Sequence, residues 1–145
     1  MVILAEETLA FNLGLRDAIF IGVSELKNIV REHFTTYVYN SGILVVSKFE
    51  QLCEFSKLSR KHGEDYALGI VLGYPPECVN WFVNSSIEEH VICKCADGGS
   101  FSFKCPERLF DYAKTYMKEY HNVELHYDTK LEDIFVIRND MFLWE

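Results

Sequence analysis

Two short turns that contain glycine, each between β-branched or aromatic segments, constrain the fold of this chain most strongly. Asn40-Ser41-Gly42 lies between residues 35–39 and 43–47, and Asp97-Gly98-Gly99 lies between residues 91–95 and 100–104. Turns of this composition between alternating segments are typical of β-hairpins. Because strands arrive in hairpins as well as between helices, we predict an α+β fold with a mainly antiparallel sheet.

Helical spacing and end signals predict four or five helices packed with this sheet. The candidate helices cover residues 3–12, 47–61, 65–72, 77–83 and 106–121, and an amphipathic segment capped by Ser24 carries Leu26, Ile29, Val30 and Phe34. A glycine follows several of these segments, as is common at helix ends. Further strands are predicted at residues 17–22, 123–128, 134–138 and 141–144.

No repeat, low-complexity tract or linker divides the chain, so we expect residues 1–145 to form a single globular domain. A hydrophobic content of 49% argues against disorder. No apolar run reaches the roughly 18 residues that a membrane span needs. The first residues lack the basic region of a signal peptide. We therefore expect a cytoplasmic protein that does not interact with a membrane.

The charge balance favours a protein partner over a nucleic acid. The chain has 14 basic and 22 acidic residues, for a net charge of −8. Its one basic cluster, residues 57–62, lies near a predicted helix C-terminus, where cations favour the helix dipole. Direct nucleic-acid binding is therefore not expected. An acidic surface instead steers basic partners towards it.

Three of the five cysteines fall on a predicted hairpin. Cys93 and Cys95 are two residues apart, so on a strand they point to the same face, and Phe101, Phe103 and Cys105 share a face of the partner strand. Free cysteine is among the most buried residue types. We therefore predict that this is the core face of the hairpin, with no cofactor.

The alternative for these cysteines is a metal centre. Cys93, Cys95 and Cys105, with Cys78 or His90 as the fourth ligand, would form a thiolate and imidazole set that suits zinc or an iron–sulfur cluster. The spacing is C-x-C followed by a third cysteine, rather than the paired C-x2-C knuckles of most zinc sites.

Cys78 is the candidate for a reactive thiol. It follows Pro75-Pro76-Glu77 at a predicted helix start, where the dipole lowers a thiol pKa, although Glu77 acts in the opposite direction. A nucleophilic Cys78 would need a base such as His62, His90 or His121. The chain has no glycine-rich phosphate loop and no nucleophile elbow, so we assign no catalytic residue.

Aromatic residues supply the candidate interface anchors. Tyrosine and tryptophan dominate binding hot spots in protein interfaces. Among the eight tyrosines and two tryptophans, we take Tyr74, Trp81 and Trp144 as candidates for such anchors.

Residues 72–82 read Leu-Gly-Tyr-Pro-Pro-Glu-Cys-Val-Asn-Trp-Phe. This segment resembles an uncharacterised prokaryotic family whose motif is L-G-Y-P-x-C-C-V followed by an aromatic residue. Residues 14–22 and the helix after Ser47 are loosely similar as well, so the resemblance extends from about Gly14 to Cys105. Glu77 replaces the first cysteine of the motif, which implies that a paired-cysteine site is impaired here. The resemblance implies a prokaryotic or phage setting and no particular activity.

Two functions follow as hypotheses. The first is a small acidic intracellular module that binds another protein, for which a phage or mobile-element inhibitor of a host protein fits the size and charge. The second is a cysteine-centred protein, either metal-binding or thiol-reactive, that uses Cys78 together with Cys93, Cys95 and Cys105.

Overall fold

The computed structural model describes residues 5–84, 88–95 and 100–127. Within these ranges the chain forms five α-helices, two short 3-10 helices and two three-stranded antiparallel sheets, which confirms the α+β prediction. None of the helices in these ranges combines the length and the apolar character needed to cross a membrane.

Apart from the segment after Ser24, the described elements follow one another along the chain as predicted, with shifts of a few residues at their ends. The helices are α1 (Glu6–Asn12), α2 (Phe49–His62), α3 (Glu64–Val71), α4 (Pro76–Asn84) and α5 (Phe110–His121). The strands are β1 (Ala18–Gly22), β2 (Thr35–Tyr39), β3 (Gly42–Val46), β4 (His90–Cys95), β5 (Phe101–Pro106) and β6 (His126–Tyr127). The 3-10 helices are Val23–Asn28 and Glu107–Leu109.

The first sheet has the strand order β1-β3-β2 and is covered on both faces. Every residue of the central strand β3 is buried. Because side chains alternate along a strand, Ile43 and Val45 pack with Phe11 of α1 on one face. Leu44 and Val46 pack with Phe55 of α2 on the other face, which encloses the sheet between helices.

The second sheet has the strand order β5-β4-β6 and buries the predicted cysteine face. Val91, Cys93 and Cys95 alternate with more exposed residues along β4. Ala113 and Met117 of α5 cover this face of the sheet and are fully buried. The hairpin register pairs Cys93 with Phe103, as the alternation predicts.

Helix α2 begins two residues later than the predicted residue 47. Ser47 is held by the first sheet, since its backbone N–H donates to the carbonyl oxygen of Asp17 at 2.9 Å. The helix therefore begins after Lys48, whose backbone N–H donates to the side-chain oxygen of Gln51 at 2.9 Å. Gln51 thus completes the cap of the helix.

The predicted helix after Ser24 is wrong. The chain forms only the 3-10 helix Val23–Asn28 and becomes extended at Ile29. The Asn12 side chain accepts a hydrogen bond from the backbone N–H of Val30 and donates to the carbonyl oxygen of Asn28, both at 3.0 Å. These hydrogen bonds to α1 replace those that a continued helix would supply. Ile29 and Val30 are also β-branched, and such residues have low helix propensity.

The remaining strand predictions are only partly described. In the described part of the predicted strand at residues 123–128, residues His126–Tyr127 form β6, which pairs with β4. The turn at residues 97–99 and the predicted strands at residues 134–138 and 141–144 lie outside the described residues.

Candidate functional site

Four of the five cysteines lie in the core around β4 and β5. Cys93, Cys95 and Cys105 are fully buried, which confirms the core-face prediction, and Cys78 of α4 is 2% exposed. Cys53 lies apart from them on the surface of α2. The tertiary structure therefore adds Cys78 to the hairpin cysteines, although α4 precedes both strands in the chain.

Cys78, Cys93 and Cys105 form a cluster of hydrogen-bonded thiols, which we call the thiol cluster. The Sγ atoms of Cys78 and Cys105 are 3.7 Å apart, and the Cys78 thiol donates to Cys105. Cys93 of β4 also interacts with Cys105, and this interaction lowers the pKa of Cys105. The Sγ atom of Cys105 lies 3.2 Å from the carbonyl oxygen of Pro106. Cys105 is therefore the centre of the cluster.

The hydrogen bonds move the thiol pKa values in opposite directions. Donation from Cys78 and from Cys93 lowers the pKa of Cys105, while burial acts against this. The pKa values of Cys78 and Cys93 are raised by their hydrogen bonds to Cys105 and by burial. The first proton that the cluster loses therefore leaves Cys105. The lowered pKa expected for Cys78 at a helix start is therefore found at Cys105 instead, and the pKa of Cys78 is raised.

The structure brings together only part of the predicted metal set. His90 alternates with Cys93 along β4, so its side chain points to the opposite face of the strand, where its ring lies 5.7 Å from that of Trp81. Within the described residues, no group of three or more potential ligands is arranged to hold a metal ion. The zinc or iron–sulfur hypothesis stays a prediction, which metal analysis of protein purified without chelator would test.

Cys95 stands apart from the three clustered thiols. Burial raises its pKa to about 11, and the nearby charge of Glu124 acts in the same direction. Its Cα pairs with that of Phe101 across the hairpin. Cys95 therefore behaves as a small apolar core residue.

The three candidate bases for Cys78 make other contacts. The rings of His62 and Tyr66 are 4.9 Å apart. The Nε2 atom of His121 lies 2.7 Å from the carbonyl oxygen of Gly73. The Nδ1 atom of His90 lies 3.3 Å from the carbonyl oxygen of Glu88. These contacts favour structural roles for the three histidines.

An apolar pocket of about 450 Å³ lies between α3, α4 and β5, and Cys78 forms part of its wall. We call it the thiol pocket. Its apolar lining includes Leu68, Leu72, Val79, Phe82 and Phe103. Lys104 also lines it, with its Nζ atom 5.8 Å from the centroid of the Phe82 ring. The pocket gives a small apolar molecule a path to an otherwise buried sulfur.

Two of the three predicted interface anchors lie in the interior. Trp81 is 4% exposed. Tyr74 is half-buried, and its ring packs against those of Phe101 and Phe103 at 6.0 and 5.4 Å. Trp144 lies outside the described residues. The burial of Tyr74 and Trp81 favours a packing role over an interface role.

A row of tyrosines on α5 forms a partly exposed surface. Tyr112 and Tyr116 are half-buried against the core of the second sheet, and Tyr120 is 69% exposed. The three residues lie along the flank of the helix, and we call this surface the tyrosine face. The rings of Tyr116 and Tyr120 are stacked, with centroids 4.4 Å apart. The three tyrosines are four residues apart in the sequence, a spacing that places side chains in a row along one side of a helix.

Carboxylates surround the tyrosine face. Asp111 and Glu119 line the same shallow depression on α5 as the three tyrosines. Burial raises the pKa of Tyr116, and the charges on Tyr120 and Glu54 act in the same direction. The backbone N–H of Glu77 donates to the hydroxyl oxygen of Tyr112 at 3.2 Å. Acidic residues from α2, α4 and α5 thus converge on one aromatic surface.

Comparison of the chain with models of protein families, with curated proteins and with solved structures finds no match. The resemblance of residues 72–82 to a prokaryotic family, and the phage setting that it implies, therefore stay predictions.

Proposed function

We propose that this protein is a binding module that takes up a basic, arginine-containing segment of another protein on the tyrosine face. The observation that carries the proposal is the stack of half-buried Tyr116 and exposed Tyr120 beside Asp111 and Glu119. Stacked aromatic faces next to carboxylates are the surroundings that a guanidinium group prefers.

The aromatic part of this surface selects cations with a planar, weakly hydrated charge. Arginine stacks on tyrosine rings, and each exposed contact of this kind is worth about 0.5 to 1 kcal/mol. Lysine carries a compact, strongly hydrated charge that stacks less well. We therefore expect an arginine-containing segment to bind more tightly than a lysine segment of the same charge.

The acidic part of this surface supplies steering and orientation. The chain carries a net charge of −8, which accelerates encounters with basic partners at low salt. One cation on α5 is already paired, because the Nζ atom of Lys118 lies 3.3 Å from the carboxylate of Glu124. This pairing supports a negative potential at the tyrosine face. The host target of a phage or mobile-element inhibitor is the partner that we propose for such a module.

A peptide-binding titration tests the proposal. Three fluorescently labelled peptides of equal length, rich in arginine, lysine or glutamate, are titrated with the full chain at low and at physiological salt. We expect the arginine peptide to bind most tightly, the lysine peptide more weakly and the glutamate peptide not at all. The affinity for the arginine peptide should fall as salt rises, because the carboxylates contribute to it.

Matched variants locate the binding surface. Tyr120→Ala should weaken binding of the arginine peptide about twofold to fivefold, the loss of one exposed cation–π contact. Phe49→Ala is the aromatic control, since Phe49 is 63% exposed on α2. Glu119→Lys should weaken binding further, whereas Glu32→Lys makes the same charge change at an exposed position outside the face.

Three outcomes of these experiments would overturn the proposal. If Glu32→Lys weakens binding as much as Glu119→Lys, net charge alone explains the binding. If Tyr120→Ala and Tyr116→Ala leave the affinity unchanged while both proteins stay folded, the tyrosines are not the contact surface. Equal affinity for the arginine and lysine peptides would likewise overturn the stacking mode.

A further inference from the structure

We propose that Cys78 and Cys105 form a redox modification site, in which an organic hydroperoxide that enters the thiol pocket converts the two thiols into an intramolecular disulfide between α4 and β5. The two sulfurs are 3.7 Å apart and belong to elements that are distant in the sequence. A disulfide bond holds its sulfurs at about 2.05 Å, so the two sulfurs must move closer together for the bond to form.

Access to the pair comes through the thiol pocket. Cys78 is 2% exposed, yet its side chain belongs to the wall of this pocket of about 450 Å³. Phe82 and Val83, which also line the pocket, are exposed, so the pocket communicates with solvent beside them. Because the walls are mainly apolar, they favour an organic hydroperoxide over hydrogen peroxide.

In the first step the Cys78 sulfur, which lies 3.7 Å from that of Cys105, attacks the peroxide, and the proton of the Cys78 thiol passes to solvent. A sulfur–oxygen bond forms as the oxygen–oxygen bond breaks, which leaves a sulfenic acid on Cys78. The departing alkoxide takes a proton from solvent and leaves as the alcohol.

Cys105 then completes the disulfide. Its sulfur loses its proton and attacks the Cys78 sulfur, so that a sulfur–sulfur bond forms and the sulfur–oxygen bond breaks. The hydroxide that departs takes up a proton and leaves as water. In sum, one hydroperoxide and two thiols yield one alcohol, one water and one disulfide. The hydroperoxide is reduced by two electrons, and the two sulfurs are oxidised.

The geometry selects this pair among the buried cysteines. Cys93 also interacts with Cys105, but it lies within the sheet on β4 and is not among the residues that line the thiol pocket. Cys95 faces Phe101 in the hairpin register and is not hydrogen-bonded to the cluster. Oxidation through the pocket therefore reaches Cys78 first, and Cys105 is the nearest sulfur to resolve it.

The test uses the full chain with Cys53→Ser, which removes the one exposed thiol and with it disulfides between molecules. The protein is treated with cumene hydroperoxide and, in parallel, with hydrogen peroxide, and intact mass is measured over time. We expect a mass loss of two hydrogen atoms, reversed by dithiothreitol, and faster oxidation by cumene hydroperoxide. No mass loss under conditions that oxidise a free thiol peptide would overturn the proposal.

Peptide mapping identifies the pair without any change in the core. Trypsin together with a glutamate-specific protease separates the four cysteines, because Glu88 and Glu89 lie between Cys78 and Cys93, and Lys94 and Lys104 follow. We expect the peptide that begins at Cys78 to be linked to the peptide that begins at Cys105. A link between Cys93 and Cys105 would contradict the pocket route.

A variant at the pocket mouth tests the route itself. Val83→Trp places a larger side chain at a residue that is 38% exposed and lines the pocket. We expect it to slow oxidation by cumene hydroperoxide more than oxidation by hydrogen peroxide, with little change in the urea midpoint. Equal rates for the variant and its parent with both oxidants would show that the oxidant does not pass through the pocket.

Discussion

The guanidinium carbon of Arg16 lies 4.3 Å from the centroid of the Phe101 ring. Arg16 precedes β1 of the first sheet, and Phe101 begins β5 of the second, so this contact joins the two sheets of the described chain. Arg16 is 4% exposed and donates to the carbonyl oxygen of Leu72 at 3.2 Å. Its Nε atom has no hydrogen-bond partner among the described residues. Because the guanidinium group of Arg16 is buried and incompletely hydrogen-bonded, its contact with the Phe101 ring contributes to its stabilisation.

Substitution of Arg16 tests whether its packing or its charge stabilises the fold. Arg16→Ala removes the contact with Phe101 and leaves a cavity, and we expect it to lower the free energy of unfolding by about 2 to 4 kcal/mol. Arg16→Met keeps most of the volume and buries no charge, so its loss should be smaller. Urea unfolding measures both. Equal losses would mean that the charge, and not the packing, is essential.

Two glycines with positive φ allow a matched measurement of backbone strain and steric contact. Gly14 and Gly73 have φ of 77° and 96°. A Cβ atom at Gly14 would meet no heavy atom within 4 Å, whereas one at Gly73 would lie 2.9 Å from the His121 ring. Gly14→Ala should therefore lose about 1 kcal/mol of stability, from the backbone alone.

Gly73→Ala should lose more than Gly14→Ala, by about 1 kcal/mol or more, because the ring of His121 must move as well. Urea denaturation of the two variants gives the difference. The same pair of substitutions in a His121→Ala background checks the cause. There the two glycine variants should lose similar amounts of stability, and a persistent difference would point to a contact other than His121.

Protonation of His121 should destabilise the fold. Burial lowers the pKa of His121, and the charge of Arg16 also lowers it, while the bond to the Gly73 carbonyl acts in the opposite direction. The unfolded chain, with a histidine pKa of about 6.5, therefore binds the proton more tightly than the folded chain. The contribution of neutral His121 is present above about pH 6.5 and is lost as the pH falls towards the lower folded value.

Urea midpoints at about pH 7.5 and 5.5 check this expectation, since both values lie above the range in which carboxylates titrate. We expect a lower midpoint at the lower pH for the unsubstituted chain and a smaller difference for His121→Gln. The control is His33→Gln at an exposed position, which should keep the full difference. A pH dependence that survives His121→Gln would assign it to another group.

Thiol labelling should find one fast cysteine. Cys53 is exposed, and the other four cysteines are buried. Burial and the hydrogen bond to Cys105 raise the pKa of Cys78, so we expect a bulky disulfide reagent to label only Cys53 rapidly near neutral pH. All five should react in denaturant. Rapid labelling of a second thiol in the Cys53→Ser protein would show that the thiol cluster opens in solution.

Local signals predicted most of the elements correctly. Turn residues, glycines after helices and alternation along strands depend on neighbours within a few residues, so both hairpins follow from sequence. The segment after Ser24 shows where such signals fail. Its apolar spacing suits a helix, but Asn12, more than ten residues earlier, supplies hydrogen bonds that hold the chain extended near Val30.

The candidate sites depended on contacts that no local pattern contains. The four-residue spacing of Tyr112, Tyr116 and Tyr120 is plain in the sequence, but whether that row meets the core or solvent depends on how α5 rotates against the second sheet. Ala113 and Met117 pack against the sheet, so Tyr112 and Tyr116 lie half-buried at the edge of this core and Tyr120 is exposed. Asp111 and Glu119 lie beside them.

The amino-acid sequence by itself determined that Cys93, Cys95 and Cys105 share a buried face with phenylalanines, because strand alternation and cysteine hydrophobicity are local properties. Only the tertiary structure decided that Cys78 joins them, 27 residues before Cys105, and that Cys105 is the sulfur with the lowered pKa. The physical reason is that a thiol pKa depends on the donors and the burial around it, and both come from packing between α4 and β5.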